Sequence, residues 1–237
     1  MNLVWLALLA SLALAGVHGL TPALERLPAR HQSALASVSA GAGLAYVFLY
    51  LLVELVKEGA TEVHAWLPLG PDPLETIFML LLGAVTVIYL VMARLQQSPD
   101  VHDDHRGFAT LFLIYNVLAG AGLVEEARWG ALNLVFYVAA LGLHLLFNDR
   151  FLAHLCPGGH TGTWRASLAS APVLGCVAAA ALNPPQALLY STLAVVAGGM
   201  ILNVVRLELP LVEDLRPAGF VAGVLGYGAI ILATWRF

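Results

Sequence analysis

The sequence predicts an all-α, polytopic integral membrane protein with eight transmembrane helices. Of its 237 residues, 60% are hydrophobic and only 11% are charged, whereas soluble domains carry about 25% charged residues. The mean hydropathy is +0.84. Apolar runs of about 20 residues, the length that an α-helix needs to cross a bilayer, recur along the chain. The alternating segments of about 10 residues that indicate a transmembrane β-barrel are not found.

The apolar runs divide the chain into spans, in order, at residues 2–20, 33–56, 75–95, 107–124, 129–152, 166–182, 186–206 and 217–235. Segments rich in proline, glycine and charge separate them. The first 20 residues lack the positively charged start of a signal peptide, and we therefore interpret them as span 1. Little chain is left between the spans, so any function is expected within the membrane or in the short loops.

Basic residues are distributed unequally between the two sets of loops. The loops after spans 1, 3, 5 and 7 carry eight arginines, whereas the opposite side carries Lys57, Arg128 and Arg236. The positive-inside rule then predicts that both termini are extracytoplasmic. The compact design suggests a bacterial inner membrane. The sequence lacks the basic patch that binding to a nucleic acid would require.

Spans 2 and 7 share a pattern. Span 2 contains AGAGLAYVFLYLLVEL and span 7 contains AGGMILNVVRLELP, and each ends near an acidic residue, Glu54 and Glu208 respectively. Because the two spans run in opposite directions, the pattern indicates an inverted repeat. A chance match between apolar helices is the alternative. The repeat predicts one transmembrane domain over 1–237, with repeat one at about 1–95, central helices at about 107–152 and repeat two at about 166–237.

Polar residues within the spans are candidates for function, because an ionisable group in lipid is costly unless it is partnered. His18 and Glu54 lie near span ends, where contact with interfacial water is the simplest interpretation. The others are Asn116, Asn133, His144, Asn148, Asp149 and Asn203. His144 and Asn148 are four residues apart and therefore share a helix face, with Asp149 beside them.

Asn116 lies in the middle of the neighbouring antiparallel span, so it is expected to complete a site with His144, Asn148 and Asp149. One imidazole, two amides and one carboxylate suit a borderline divalent cation such as zinc, iron or manganese. A packing network of interhelical hydrogen bonds is the alternative, with Asp149 and Arg150 forming an interfacial ion pair.

The segment 96–107 is expected to be a cytoplasmic loop. It is either a solvated acidic loop or a weak surface metal site, and its potential ligands are Asp100, His102, Asp103, Asp104 and His105. An intramembrane metal hydrolase needs three histidines or carboxylates and a water site. The spans offer fewer, so we expect no enzyme, and no cofactor apart from a metal ion as substrate.

The chain resembles the ZIP family of divalent-metal permeases over nearly its whole length. Span 2 is similar to the family's Leu-Leu-Pro-Glu ending, with Val53 in place of proline and Glu54 retained. Span 3 has Leu-Leu-Gly in MLLLGAVTVIYL, the following loop has DVHDDH, and span 7 ends in an acidic-Leu-Pro segment. The resemblance implies eight spans arranged 3+2+3 with an inverted repeat, both termini outside, metal transport and a tendency to form homodimers.

The family's metal-binding motifs are only partly present. His-Asn-x-x-Asp-Gly of span 4 is YNVLAG here, which begins at Tyr115, and His-Glu-x-Pro-His-Glu of span 5 is HLLFND, which begins at His144. The resemblance implies a pathway through Asn116, His144, Asn148 and Asp149. The replaced ligand positions are Tyr115, Ala119, Leu145 and, in span 6, Ala171.

Phe147 stands where the family has a proline, which predicts a straighter span 5. Two functions remain open from these residues. One is a transporter with a reduced single-ion site. The other is a ZIP-fold membrane protein that no longer transports metal, with a structural, sensory or interaction role or a different substrate.

Overall fold

The computed structural model of the chain describes residues 3–97, 101–155, 162–208 and 216–234. Within these ranges the secondary structure is helical throughout, without a strand. Eight of the described helices are long and apolar enough to cross a membrane, which confirms the all-α class and is consistent with an integral membrane protein. They are Leu3–Glu25, Ala29–Trp66, Pro73–Leu95, Arg106–Trp129, Ala131–Ala153, Gly162–Leu182, Gln186–Arg206 and Pro217–Thr234, and they are called spans 1 to 8 below.

Spans 1, 2 and 4 extend at least five residues beyond their predicted ends. Span 2 continues to Trp66, well past the predicted end at 56. The helix of span 4 begins at Val101 and ends at Trp129, so the expectation of a loop up to residue 107 is wrong. The sequence is compatible with a helix there, because residues 101–107 contain no proline and acidic residues are favourable in the first turn of a helix. At about 1.5 Å per residue, this helix is longer than the hydrocarbon core of about 30 Å.

Span 1 is interrupted after its first helix, Leu3–Val17, and resumes with the short helix Thr21–Glu25. Glycine and proline explain the break: the Gly19 amide turns back to the Gly16 carbonyl at 3.0 Å, and Pro22 lies at the start of the second helix, where its missing N–H does no harm. The break leaves His18 at the first position after the longer helix.

Spans 2 and 7 contain π-helical segments. They lie at Val47–Leu51 and Leu55–Gly59 in span 2, and at Val204–Glu208 at the end of span 7. A π segment adds a residue to a helical turn and so changes the direction of the side chains that follow, and such segments occur often at functional sites. Span 5, in contrast, is a single α-helix, Ala131–Leu155, that continues through Phe147.

The spans pack in two groups. Span 1 contacts spans 4, 5 and 6, and span 4 also packs closely against span 6. In the second group, span 2 packs against span 8 and span 3 packs against span 7. Contacts of span 4 with span 7, and of span 2 with span 5, join the groups.

Glycines allow the closest of these contacts. Cβ atoms on Gly120 and Gly175 would collide with the carbonyl oxygens of Pro172 and Val117 respectively, so spans 4 and 6 touch backbone to backbone from both sides. Lipid supplies no hydrophobic driving force between helices, and small residues therefore stabilise the contact by letting the backbones approach.

Substitution of Gly175 by alanine is expected to destabilise the protein by about 1–3 kcal/mol, because the new methyl group overlaps the Val117 carbonyl and must push spans 4 and 6 apart. Gly226→Ala is the matched control, since nothing lies within 4 Å of its added Cβ. Thermal unfolding of both variants in the same detergent checks this, and equal midpoints for the two variants would contradict it.

Candidate functional site

A cluster of buried polar side chains lies where spans 1, 4 and 5 meet, and we call it the polar cluster. None of its members is more than 2% exposed. The members are His18, Thr21, Asn116, His144, Asn148 and Asp149. Four of the six are the pathway residues that the sequence predicts: Asn116 and Asp149 both contact His18 of span 1, and Asn148 contacts His144.

His18 connects three spans. Its Nδ1 atom lies 2.7 Å from Asp149 Oδ2 in span 5, and its Nε2 atom lies 3.1 Å from Asn116 Oδ1 in span 4. The Thr21 hydroxyl donates to the same Asp149 oxygen at 3.3 Å. Both ring nitrogens of His18 are therefore engaged, and the imidazole is completely buried.

The network determines where the protons lie. Asn116 donates its amide Nδ2 to the Phe112 carbonyl at 2.8 Å, so its Oδ1 faces His18 and only accepts. His18 Nε2 must then carry a hydrogen. A second proton lies between Nδ1 and the Asp149 carboxylate, which makes the pair either an imidazolium with a carboxylate or a neutral imidazole with a carboxylic acid. In both forms the pair has no net charge.

His144 forms the second half of the cluster. Its Nε2 lies 3.1 Å from Asn148 Nδ2, and its ring meets the edge of the Tyr115 ring, with centroids 5.7 Å apart. The Asn148 Oδ1 atom is buried and has no hydrogen-bond partner among the described residues. An unpartnered buried oxygen costs about 1–3 kcal/mol, which a donor or a cation would recover.

A one-residue connection sets spans 4 and 5 side by side. Span 4 ends at Trp129, span 5 begins at Ala131, and Gly130 between them has φ of 135°. Only glycine adopts this backbone conformation readily. The short turn makes the spans antiparallel neighbours, as the sequence predicts, and brings Asn116 opposite the polar residues of span 5.

The replaced ligand positions are buried and contribute no charge. Tyr115 donates its hydroxyl to the Val196 carbonyl of span 7 at 3.2 Å, and the Ala119 carbonyl accepts the Tyr137 hydroxyl at 2.8 Å. Leu145 and Ala171 are completely buried. In the part of the chain that the structure describes, no group of three or more histidines, cysteines, aspartates or glutamates is close enough to hold a metal ion.

Among the other predicted positions, Glu54 is the one whose side chain the structure describes, and it lies apart from the polar cluster. Glu54 lies 3.6 Å from Lys57 on its own helix turn. Glu208 ends the π segment of span 7, and its side chain is not among those described. In the predicted loop site, Asp100 lies outside the described residues, and His102, Asp103, Asp104 and His105 belong to the first turns of the helix that begins at Val101, with side chains that are likewise not described.

Two interpretations from the sequence are corrected. His18 is not an exposed side chain at a span end but is completely buried, because the break after Val17 turns its ring towards spans 4 and 5. Asp149 does not face water at a span end but is 2% exposed and bound to His18. One feature of the sequence could have indicated a buried role for His18: it is the one ionisable side chain among the first 20 residues, which are otherwise apolar or uncharged.

No family model matches the sequence, and no curated protein matches it.

The pair His18 and Asp149 is expected to be energetically coupled, because removing either partner leaves the other buried without a hydrogen bond. In a double-mutant cycle of His18→Ala and Asp149→Ala, we expect a coupling of about 1–3 kcal/mol. The measurement is reversible unfolding in mixed micelles. His31→Ala, at an exposed histidine, should leave stability unchanged, and strictly additive effects of the two cluster variants would contradict the coupling.

Proposed function

We propose that the chain is a ZIP-like membrane transporter for a divalent metal cation, zinc, iron or manganese, which it carries as substrate through a reduced single-ion site. The observation that carries the proposal is the polar cluster: the interrupted span 1 presents His18 to Asn116 and Asp149, which belong to the spans whose motifs resemble the family. The charge asymmetry of the loops supports extracytoplasmic positions for both termini, and the compact design supports a bacterial inner membrane.

The position of the cluster suits a transport site. At 1.5 Å per residue, the distance along the helix axis from Leu3 to His18 is about 22 Å. This distance is shorter than the hydrocarbon core of about 30 Å, so His18 fits within the depth of the core. Transporters place substrate and ion sites at interrupted helices, where irregular backbone lines a cavity. Span 1 provides such an interruption at the cluster.

The donor atoms suit one borderline divalent ion. The cluster offers imidazole nitrogen, amide and hydroxyl oxygen, and one carboxylate, a mixture that favours zinc, iron or manganese over alkali ions. The unpartnered Asn148 Oδ1 supplies an oxygen that no described group uses. A single carboxylate does not neutralise two dications, so the site is proposed to hold one ion, which displaces the proton shared by His18 and Asp149.

The pairing of helices supports the proposed inverted repeat. In such a repeat, spans 1, 2 and 3 correspond to spans 6, 7 and 8 respectively, and span 4 corresponds to span 5. The contact of span 2 with span 8 then has its counterpart in the contact of span 7 with span 3. The contact of span 4 with span 6 likewise corresponds to that of span 5 with span 1, and all four contacts occur.

Individual glycines follow the same relation. A Cβ on Gly41 of span 2 would collide with the Phe220 carbonyl of span 8, and a Cβ on Gly198 of span 7 would lie 2.9 Å from the Leu81 carbonyl of span 3. The π segments begin at Val47 and Val204, which follow these two glycines by the same number of residues. The shared AG pattern of the two spans thus coincides with shared packing and a shared helical irregularity.

A second function is favoured by one observation. The polar groups of His18 are already satisfied by Asp149 and Asn116, and the described residues hold no set of three metal-binding side chains. A ZIP-fold membrane protein that no longer transports metal would have such a closed, self-satisfied centre. It would act as a structural, sensory or interaction subunit or carry a different substrate.

Uptake into proteoliposomes tests the first function. We expect wild-type protein to accumulate zinc, iron or manganese above empty vesicles, and His18→Ala and Asp149→Asn to reduce the rate by about tenfold or more, as expected when a substrate-binding contact of about 1.4 kcal/mol or more is lost. His31→Ala is the control with an exposed histidine. Wild-type uptake at the level of empty vesicles, for all three ions, would rule out the transporter and favour the second function.

Metal binding should also release protons, because the ion competes for nitrogen and carboxylate atoms that now share them. Calorimetric titration of zinc into purified protein, in two buffers with different ionisation enthalpies, should give a release of about one proton per ion, namely the proton that His18 Nδ1 shares with Asp149. His144→Ala should weaken binding. No binding heat in either buffer, together with no metal by elemental analysis, would contradict the single-ion site.

A further inference from the structure

A second buried acid lies in the same span, away from the polar cluster. Glu126 follows Asn116 by about 15 Å along span 4, close to the end of the helix at Trp129. Its side chain is completely buried. Oxygen Oε1 accepts the Tyr46 hydroxyl of span 2 at 3.0 Å, whereas Oε2 has no hydrogen-bond partner among the described residues.

Aromatic rings surround this carboxyl group. The Tyr46 ring stacks on Tyr50 with centroids 5.8 Å apart and meets the edges of Tyr137 and Tyr227 at 6.2 and 6.4 Å. The hydroxyl of Tyr137 donates to the Ala119 carbonyl, and that of Tyr227 donates to the Phe136 carbonyl. Neither of these two hydroxyls therefore gives its proton to Glu126 Oε2.

The titratable groups that face Glu126 from its own and neighbouring elements carry no positive charge, as far as the described residues go. They are Tyr46, Tyr50 and Glu54 of span 2, Glu125 of its own span, Tyr137 of span 5 and Tyr227 of span 8. Two of them are themselves carboxyl groups, which disfavour a further negative charge.

The preceding residue shows the contrast. Glu125 Oε2 lies 2.8 Å from the Arg128 guanidinium, which is partly exposed, and Glu125 Oε1 accepts from Gln186 of span 7 at 3.4 Å. Glu125 thus has a cation and reaches the surface through it. An ionised carboxylate without such a partner costs several kcal/mol to bury, whereas a carboxylic acid costs far less.

We infer that Glu126 is a proton-binding site, protonated at Oε2 in this closed arrangement and loaded from water at the membrane face where span 4 ends. A hydronium ion transfers one proton to the carboxylate oxygen and leaves as water, and no other bond changes. The distance to the surface is short, since Glu126 lies less than one helical turn from Arg128. The role of this proton rests on the proposed function: in the transporter it is the coupling ion.

The packing connects this site to the polar cluster's side of span 4. Ala119 lies one heptad before Glu126 and thus on nearly the same helix face. The Tyr137 hydroxyl donates to the Ala119 carbonyl, and the Tyr137 ring contacts the Tyr46 ring. Loss of the proton would charge Glu126 and alter its bond to Tyr46, and the change would reach the positions next to Asn116 through these rings.

Infrared spectroscopy of the purified protein in lipid nanodiscs at neutral pH tests the inference. We expect the carbonyl stretching band of a protonated carboxylic acid, absent in Glu126→Gln and retained in the adjacent control Glu125→Gln. Tyr46→Phe should move the band to higher frequency, because it removes the hydrogen bond to Oε1. Absence of the band in wild type, or its loss in Asp149→Asn and not in Glu126→Gln, would overturn the assignment.

Carbodiimide labelling of wild-type protein makes the test independent of variant folding. A hydrophobic carbodiimide adds as a whole to protonated carboxyl groups. Peptide mass spectrometry should locate the adduct on Glu126 and not on Glu125, and unlabelled Glu126 would overturn the inference.

The coupling role is tested by a separate experiment: a pH gradient should stimulate metal uptake by wild type and not by Glu126→Gln. Absence of all uptake would defeat the proposed transport function, whereas the protonated band would still report the proton site.

Discussion

The contact between His18 and Asp149, at 2.7 Å, is the interaction on which the centre of the molecule depends. It lets an imidazole and a carboxylate coexist in a region where a lone charge would be very costly. It depends on the break in span 1 that glycine and proline produce, since an unbroken helix would lack the turn that directs His18 towards spans 4 and 5. The orientation of the Asn116 amide follows from the same ring.

Around this centre, close backbone contacts at glycines accompany the burial of apolar side chains. Carbonyl groups of Val117, Pro172 and Phe220 lie against glycines of neighbouring spans, and each such contact exists because a glycine presents no Cβ there. A close contact between a glycine of one helix and a backbone carbonyl of another is specific to that pair of helices. Such contacts determine which spans pack together in a bilayer, where apolar surface alone does not distinguish a neighbouring helix from lipid.

The sequence predicts the helical class and the eight spans well, since both follow from length and hydropathy. It also groups Asn116, His144 and Asn148, because their proximity needs only helical spacing and a short turn. The partner of His18 is not predictable in this way, as the pair is separated by most of the chain. Glu126 is missed because span 4 continues past residue 124, and that end is set by the glycine turn at Gly130 and not by hydropathy.

That glycine turn has a mechanical consequence. With one residue between them, spans 4 and 5 form a hairpin with little freedom to separate at the turn, so the turn and the helical spacing together position Asn116 relative to His144 and Asn148. Span 1 is attached to the hairpin by hydrogen bonds and packing, and it alone carries a discontinuity at the cluster. A rearrangement of this centre would therefore bend span 1 at Gly16 to Gly19 more easily than the hairpin, and it would have to break the hydrogen bonds that His18 forms with Asp149 and Asn116.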